Sequence, residues 1–348
     1  MKPTLLISDP RFLEHDPGPE HPESAARLAR ILDNLRDSPI AGSSWLMEPR
    51  PGTDQEITAV HTPALLAYLS ARDGMNATLD PDTAMSPGSW RAARLAAGAA
   101  VQAVEEVWSG RARNAFVLAR PPGHHAEAAR AMGFCLLNNA AIAAAAALRM
   151  GASRVAIVDW DVHHGNGTQH IFENQAEVLY LSAHQAPFYP GTGAADEIGR
   201  GQGLGFTINC PLPPHQGDAD YGAVFDEVFL PALDNFAPEL LIVSAGFDAH
   251  ARDPLADMRV TERGFAAMCS AVTDMTGKLV LLLEGGYDLA ALASSVRACA
   301  EVLTGGRDTF PTGAGPRVVE AIRATRQAHT HVRLHAHGGT HLLRRQSM

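Results

Sequence analysis

Residues Leu240–His250 read LLIVSAGFDAH. The first six are apolar or small and show no polar–apolar alternation. A strand wet on one face alternates, whereas a strand buried on both faces does not, and such strands build parallel sheets. Comparable runs stand at Thr4–Ser8, Ala115–Ala119, Arg154–Trp160, Val178–Ser182, Gly205–Asn209 and Lys278–Leu283. Between them lie longer alanine- and leucine-rich segments at Pro22–Arg36, Pro87–Ser109, Leu137–Met150, Tyr221–Asn235, Thr261–Thr276 and Leu289–Leu303. Strands alternating with helices predict a three-layer α/β domain, a mostly parallel sheet with helices on both faces. Thr261 is placed to cap one helix and Gly151 to end another.

The chain has 348 residues, 46% hydrophobic and 19% charged. That supplies a large core and excludes a disordered chain. No apolar run approaches the roughly 20 residues that span a bilayer, so no membrane partner is expected. The opening MKPTLLISDPRFLEHD has too short an apolar stretch for a secretory signal. Cys135, Cys210, Cys269 and Cys299 form no CxxC pair. They predict neither a disulfide framework nor a cysteine zinc site, and suit a reducing cytoplasm. A formal charge of −10 argues against nucleic-acid binding. The domain is expected to span 1–325. The remainder, 326–348, carries His329, His331, His335, His337 and His341 without periodicity and reads as a frayed or partly helical tail.

The other histidines gather where strands end. NAFVLA is followed by Arg120-Pro121-Pro122-Gly123-His124-His125, and RVAIV by Asp159-Trp160-Asp161-Val162-His163-His164-Gly165-Asn166-Gly167. LLIVSAG is followed by Phe247-Asp248-Ala249-His250, and KLVLLL by Glu284-Gly285-Gly286-Tyr287-Asp288. Ligands of open α/β sheets bind beyond the carboxyl ends of the strands, so these four segments are expected to meet in one pocket. Asp159, Asp161 and His163 are spaced i, i+2, i+4 and would point to one side of an extended strand end. Asp161 and His163 could bind one metal from one direction, and Asp248, at another strand end, is the best-placed third ligand, giving two carboxylates and one imidazole. That suits catalytic zinc, with Fe(II) or Co(II) also compatible. The pair His124-His125 offers one general base and one electrostatic partner or acid beside such a metal. Tyr287, on its glycine turn, offers a phenol donor to a developing oxyanion.

These segments resemble the histone deacetylase family, the zinc-dependent deacetylases of the arginase-like fold. The resemblance rests on RPPGHHA (Arg120–Ala126), GFCLLNNAAIA (Gly133–Ala143), DWDVHHGNGTQ (Asp159–Gln169), SAGFDAH (Ser244–His250) and LEGGYD (Leu283–Asp288), with HPESAARL (His21–Leu28) near the start. Glu284, and Asn166 where class I enzymes have aspartate, resemble the class II branch and the bacterial amidohydrolases. The resemblance implies an eight-stranded sheet and one zinc on Asp161, His163 and Asp248. It implies His125 as base and then acid, oriented by Asn166, and His124 paired with Asp159. It implies structural potassium through Asp159, Asp161, His163, Ser182 and Ala183, and a second monovalent site near Phe172 and Val178. Gly133, Phe134, Tyr189, Leu255, Gly285 and Gly286 would line the acyl tunnel, with Tyr189 where the family usually has phenylalanine.

The implied activity is removal of acetyl or related acyl groups from acyl-lysine-type amides by metal-activated water. The partners would be acetylated lysine side chains or small acylated amines. Acetylpolyamine hydrolysis is the alternative: polyamine-selective relatives often carry a glutamate where this chain has Leu255, although Glu14, Asp16, Glu20 or Glu23 could supply that charge. A weakly catalytic acyl-lysine binding protein is the reading from another class. An arginase-like ureohydrolase would need two manganese ions, and Asp248-Ala249-His250 lacks the second aspartate. A homo-oligomer is possible, with the first loop (His15–Glu23) and the tail as the segments expected at subunit contacts.

Overall fold

The structure is a computed structural model that describes residues 2–37, 40–330 and 343. Its strands in chain order are β1 (Thr4–Ser8), β2 (Ser43–Met47), β3 (Ala77–Asp80), β4 (Thr83–Met85), β5 (Asn114–Val117), β6 (Val155–Asp159), β7 (Val178–Gln185), β8 (Thr207–Leu212), β9 (Leu240–Ala245) and β10 (Leu279–Leu283). Eight of them form one sheet in the order β2-β1-β5-β10-β9-β6-β7-β8. Every pairing in it is parallel. β3 and β4 form a separate antiparallel hairpin.

All residues of β5, β6, β7, β9 and β10 are buried, which is why their sequences show no alternation. Seven strands of the large sheet match the sequence expectation. The eighth, β2, reads SSWLM at the sheet edge, and its described side chains are half-buried or exposed. It carries too weak an apolar pattern to stand out. Helices at Ala25–Asp37, Ser89–Trp108, Asn139–Arg149, Glu262–Thr273 and Leu289–Leu303 lie where the sequence predicts them. Thr261 caps its helix through Gly264 N–H, and Gly151 has φ +99° just beyond Met150.

The predicted helix Tyr221–Asn235 starts earlier, at Asp218, and carries a π turn over Phe225–Phe229. Pro231, in the next turn, has no N–H to give the regular ladder. Short helices at Asp54–Ile57, Pro63–Ser70 and Asn166–Phe172 were not anticipated. Neither was Pro316–Ala328, which runs across the expected domain end at residue 325 and places His329, 5% exposed, at its C-cap. His331, His335, His337 and His341 lie outside the described residues. No described helix is long and apolar enough to cross a membrane.

One buried ion cluster ties the first loop to the sheet. Arg120, just past β5, gives Nε and Nη2 to the two Glu23 carboxylate oxygens at 2.6 Å each. Arg27 Nη1 adds a third contact at 2.9 Å, and His15 Nε2 lies 3.3 Å away. Burial opposes the Glu23 charge, but Arg120, His15 and Arg27 outweigh it and hold the carboxyl well below its ordinary 4.5. Its stabilisation is therefore complete above that ordinary value and is lost as pH falls toward the depressed one. Glu23→Gln strands two buried guanidiniums, so urea unfolding at pH 7 should show a loss of about 3–5 kcal/mol. A loss under about 1 kcal/mol would refute the cluster's role.

Candidate active site

The four motif-bearing strands are neighbours, in the order β5-β10-β9-β6 at the centre of the sheet. Their carboxyl-terminal segments therefore converge. Glu284, one residue past β10, locks two of them together. Its Oε2 accepts from Gly123 N at 2.6 Å and His124 N at 3.2 Å, and its Oε1 from Ser244 Oγ at 3.2 Å. Burial lifts the Glu284 carboxyl to about 7.

The expected extended run through Asp159, Asp161 and His163 is not what forms. β6 ends at Asp159 and the chain bends. Asp159 Oδ1 accepts from Asp161 N at 3.2 Å, and Asp161 Oδ1 from His163 N at 2.9 Å. Each aspartate turns the chain through the N–H two residues on, the usual Asx preference. The side chains therefore separate. Asp159 Oδ2 faces Tyr180 OH at 3.0 Å and His124 Nδ1 at 3.1 Å. Asp161 turns toward the ends of β9 and β10, where Gly285 N donates to its Oδ2, and its Oδ1 lies 3.8 Å from His124 Nε2.

There His163 Nδ1 sits 3.1 Å from both Asp161 Oδ1 and Asp248 Oδ2. The remaining carboxylate oxygens are occupied: Gly285 N donates to Asp161 Oδ2 and Val162 N to Asp248 Oδ1, each at 2.8 Å. Phe188 stacks on the His163 ring at 5.2 Å. Among the described residues this is the one set of three acid or histidine side chains whose ligand atoms converge, within 4.8 Å. Both carboxylates are fully buried. Burial and the Asp161 charge push the Asp248 carboxyl up to about 7, so two carboxylates this close and this buried favour a cation between them. Gly246 and Gly285 keep the set open. A Cβ on either would come within 2.0 and 2.1 Å of the Asp161 and Asp248 carboxylates. This donor set fits a divalent transition metal.

His124 and His125 lie side by side, ring centroids 4.0 Å apart. Burial works against a charged His124, but Asp161 and Asp159 outweigh it and lift its pKa to about 10. Burial, then the cationic His124 and His163, drive His125 well below its ordinary 6.5. His125 Nδ1 is 2.7 Å from Asn166 Oδ1. The adjacent imidazoles therefore differ in kind: one faces a carboxylate and is shifted toward the charged form, the other faces a neutral amide and is shifted toward the neutral form. Tyr287 is pinned by its own N–H to Asp253 Oδ2 at 2.6 Å, with Arg27 over its ring at 5.0 Å. Burial raises its hydroxyl well above 10, so it stays a donor.

A cavity of about 210 Å³ joins these groups. His124, His125, Gly133, Phe134, His163, Tyr189, Leu255, Gly285 and Tyr287 line it, together with Asp82, Pro122 and Cys135. Gly133 has φ +58°, and a Cβ there would lie 2.5 Å from the His125 ring, so glycine is required twice over. Gly286 stands behind the wall, its carbonyl taken by Arg27 Nε at 2.6 Å. Asp161 and Asp248 lie below the cavity and Asp159 behind His124. Asp159 pairs in register with Ser182 on β7, next to Ala183.

None of the first-loop carboxylates Glu14, Asp16, Glu20 and Glu23 lines the cavity. Glu23 is buried with Arg120 and Arg27, and Glu14 pairs with Arg91. The carboxylate that lines the cavity is Asp82, from the β3–β4 turn, bonded to Gly133 N and Thr83 Oγ1. No sequence signal marked it, because its hairpin lies 51 residues from Gly133.

Residues 21–303 match the histone deacetylase domain. This chain belongs to the histone deacetylase family. A probable deacetylase of Archaeoglobus fulgidus is 41% identical over 293 residues, 82% of each chain. A histone deacetylase-like amidohydrolase of Pseudomonas aeruginosa is 42% identical over 296 residues, 83% of this chain and 77% of that one. The crystal structure of the HDA15 HD domain agrees with a TM-score of 0.90 at 39% identity, over 94% of both chains. The eight-stranded parallel sheet is thus the histone deacetylase fold, and the chain is a hydrolase of the deacetylase and amidohydrolase type.

Proposed function

We propose that this histone deacetylase family member is a zinc-dependent hydrolase of acyl-lysine-type amides. The observation that carries the reading is the convergence of Asp161, His163 and Asp248 at the floor of a cavity that also holds His124, His125 and Tyr287. A zinc ion on that triad would supply Lewis acidity to a carbonyl and lower the pKa of a water.

The chain's own groups then act in order. Phe134 and Tyr189 flank the acyl-lysine stem. His125, neutral and with Nδ1 held by Asn166, takes a proton from water at Nε2 as the oxygen adds to the acyl carbon. The charged His124, backed by Asp159, and the Tyr287 phenol stabilise the developing oxyanion. His125 returns the proton to the amine nitrogen as the C–N bond breaks, leaving acetate and a free amine. Removing the Tyr287 hydroxyl with Tyr287→Phe should leave metal content intact and lower kcat by roughly 10²–10³-fold. Turnover within twofold of the parent would remove the phenol from the mechanism.

The same reading gives a structural potassium ion to Asp159, Asp161, His163, Ser182 and Ala183, and a second monovalent ion to the neighbourhood of Phe172 and Val178. The register of Asp159 against Ser182 supports the first. A cytoplasmic location is part of the reading and is supported by four free, buried cysteines.

Acyl-lysine is preferred to acetylpolyamine because Leu255 lines the cavity where a glutamate would hold a distal ammonium. Asp82 at the mouth is the observation that favours the polyamine reading. A side-by-side kcat/KM for an acetyl-lysine peptide and N-acetylputrescine decides between them. A higher value for the peptide is expected, and a higher value for N-acetylputrescine would reverse the assignment.

A further inference from the structure

Glu127 and His170 belong to none of the motifs above, yet both connect to His125. The helix Asn166–Phe172 crosses directly under the His125–Ala126 backbone. A Cβ at Gly167 would lie 2.2 Å from Ala126 O, so only glycine allows this approach. Asn166 and His170 sit four residues apart on that helix and share one face. Both reach the Glu127 carboxylate: Asn166 Nδ2 at 2.5 Å from Oε1, and His170 Nδ1 at 2.8 Å from the same oxygen. The other acceptors near Asn166 Nδ2, His125 O and Met132 Sδ, are both at 3.5 Å.

The direction of this chain follows from which atoms can donate. An ionised carboxylate only accepts. Glu127 therefore takes the NH₂ end of the Asn166 amide and leaves the amide oxygen for His125. That oxygen also only accepts, so the His125 proton must sit on Nδ1, with Nε2 bare toward the cavity. With the amide inverted, its oxygen would face the Glu127 carboxylate across 2.5 Å, acceptor against acceptor. Its NH₂ would face His125 Nδ1, moving the imidazole proton to Nε2 and abolishing the base.

We infer that Glu127 is a positioning residue that sets the tautomer of His125 through Asn166, with His170 holding the Glu127 carboxylate in place. The inference rests on the reading of His125 as the base. It also gives an acidic group to a base whose direct partner is a neutral amide: the carboxylate stands one amide further out.

The test uses the zinc-loaded, full-length enzyme and an acetyl-lysine peptide. Glu127→Ala should lower kcat by roughly 10–100-fold, the usual cost of losing a group that orients a functional residue through another, with KM within about twofold. The paired swap Asn166→Asp with Glu127→Gln places the carboxylate against His125 Nδ1 and an amide donor behind it. It should regain most of the lost rate, which a merely structural role would not allow. Ring ¹⁵N shifts, assigned by difference from His125→Ala, should show the Nδ1–H form in the parent and in the swap, and its loss in Glu127→Ala. An unchanged kcat in Glu127→Ala, or a swap no faster than Glu127→Ala, would overturn the inference while leaving His125 as base. Full turnover in His125→Ala would overturn both.

Discussion

Asp248→Asn should bind well under one equivalent of zinc and lose turnover by about 10³-fold. Asp248 Oδ2 and Asp161 Oδ1 flank the same His163 nitrogen at 3.1 Å, so losing one carboxylate leaves a single anionic ligand. Lewis-acid assistance contributes several kcal/mol to carbonyl chemistry, at 1.36 kcal/mol per tenfold in rate. The variant should fold, because Val162 N can still donate to the amide oxygen in place of Asp248 Oδ1. Metal analysis by plasma emission, with circular dichroism as the folding control, checks it. A folded Asp248→Asn protein with a full equivalent of zinc and parental turnover would contradict the metal assignment.

His125→Ala should keep its zinc and its substrate KM while kcat falls roughly 10²–10⁴-fold, the range for a general acid–base group. The structure separates it from His124. His125 Nδ1 is 2.7 Å from the neutral Asn166 amide oxygen, whereas His124 Nδ1 is 3.1 Å from the Asp159 carboxylate, which favours a charged His124. Replacing His124 removes the imidazole paired with Asp159 and should affect oxyanion stabilisation, not proton transfer. Rates at a single pH, with and without a small exogenous imidazole, separate the two. Rescue by imidazole is expected for His125→Ala and not for His124→Ala. Rescue of His124→Ala alone would exchange the roles.

Much of this site is legible in the sequence because its residues lie directly after buried strands. LLIVSA, VAIVD and LVLLL carry no alternation, so they mark themselves as interior, and the segments beyond them must converge. Adjacency of β5, β10, β9 and β6 then brings His124, Asp161, Asp248 and Tyr287 together without further instruction. What the sequence could not show is orientation. The spacing Asp159, Asp161, His163 suggests one shared face, but two successive carboxylate-to-backbone bonds turn Asp159 away to Tyr180 and His124. Asp82 was invisible because a hairpin of one four-residue and one three-residue strand has no periodic signature. Glu127 and His170 were invisible because their meeting depends on a helix starting at Asn166, and NGTQHIF has little apolar pattern. Glu284 reads as a family mark, whereas its physical task is to fasten the His124 turn to the end of β10.

The central claim is that Asp161, His163 and Asp248 hold a metal on which amide hydrolysis depends. The direct measurement is acetate release from an acetyl-lysine peptide by protein stripped with a chelator and titrated with zinc. The account predicts no release from the stripped protein and full activity at one equivalent. Undiminished release without metal, or none with one equivalent bound, would contradict it.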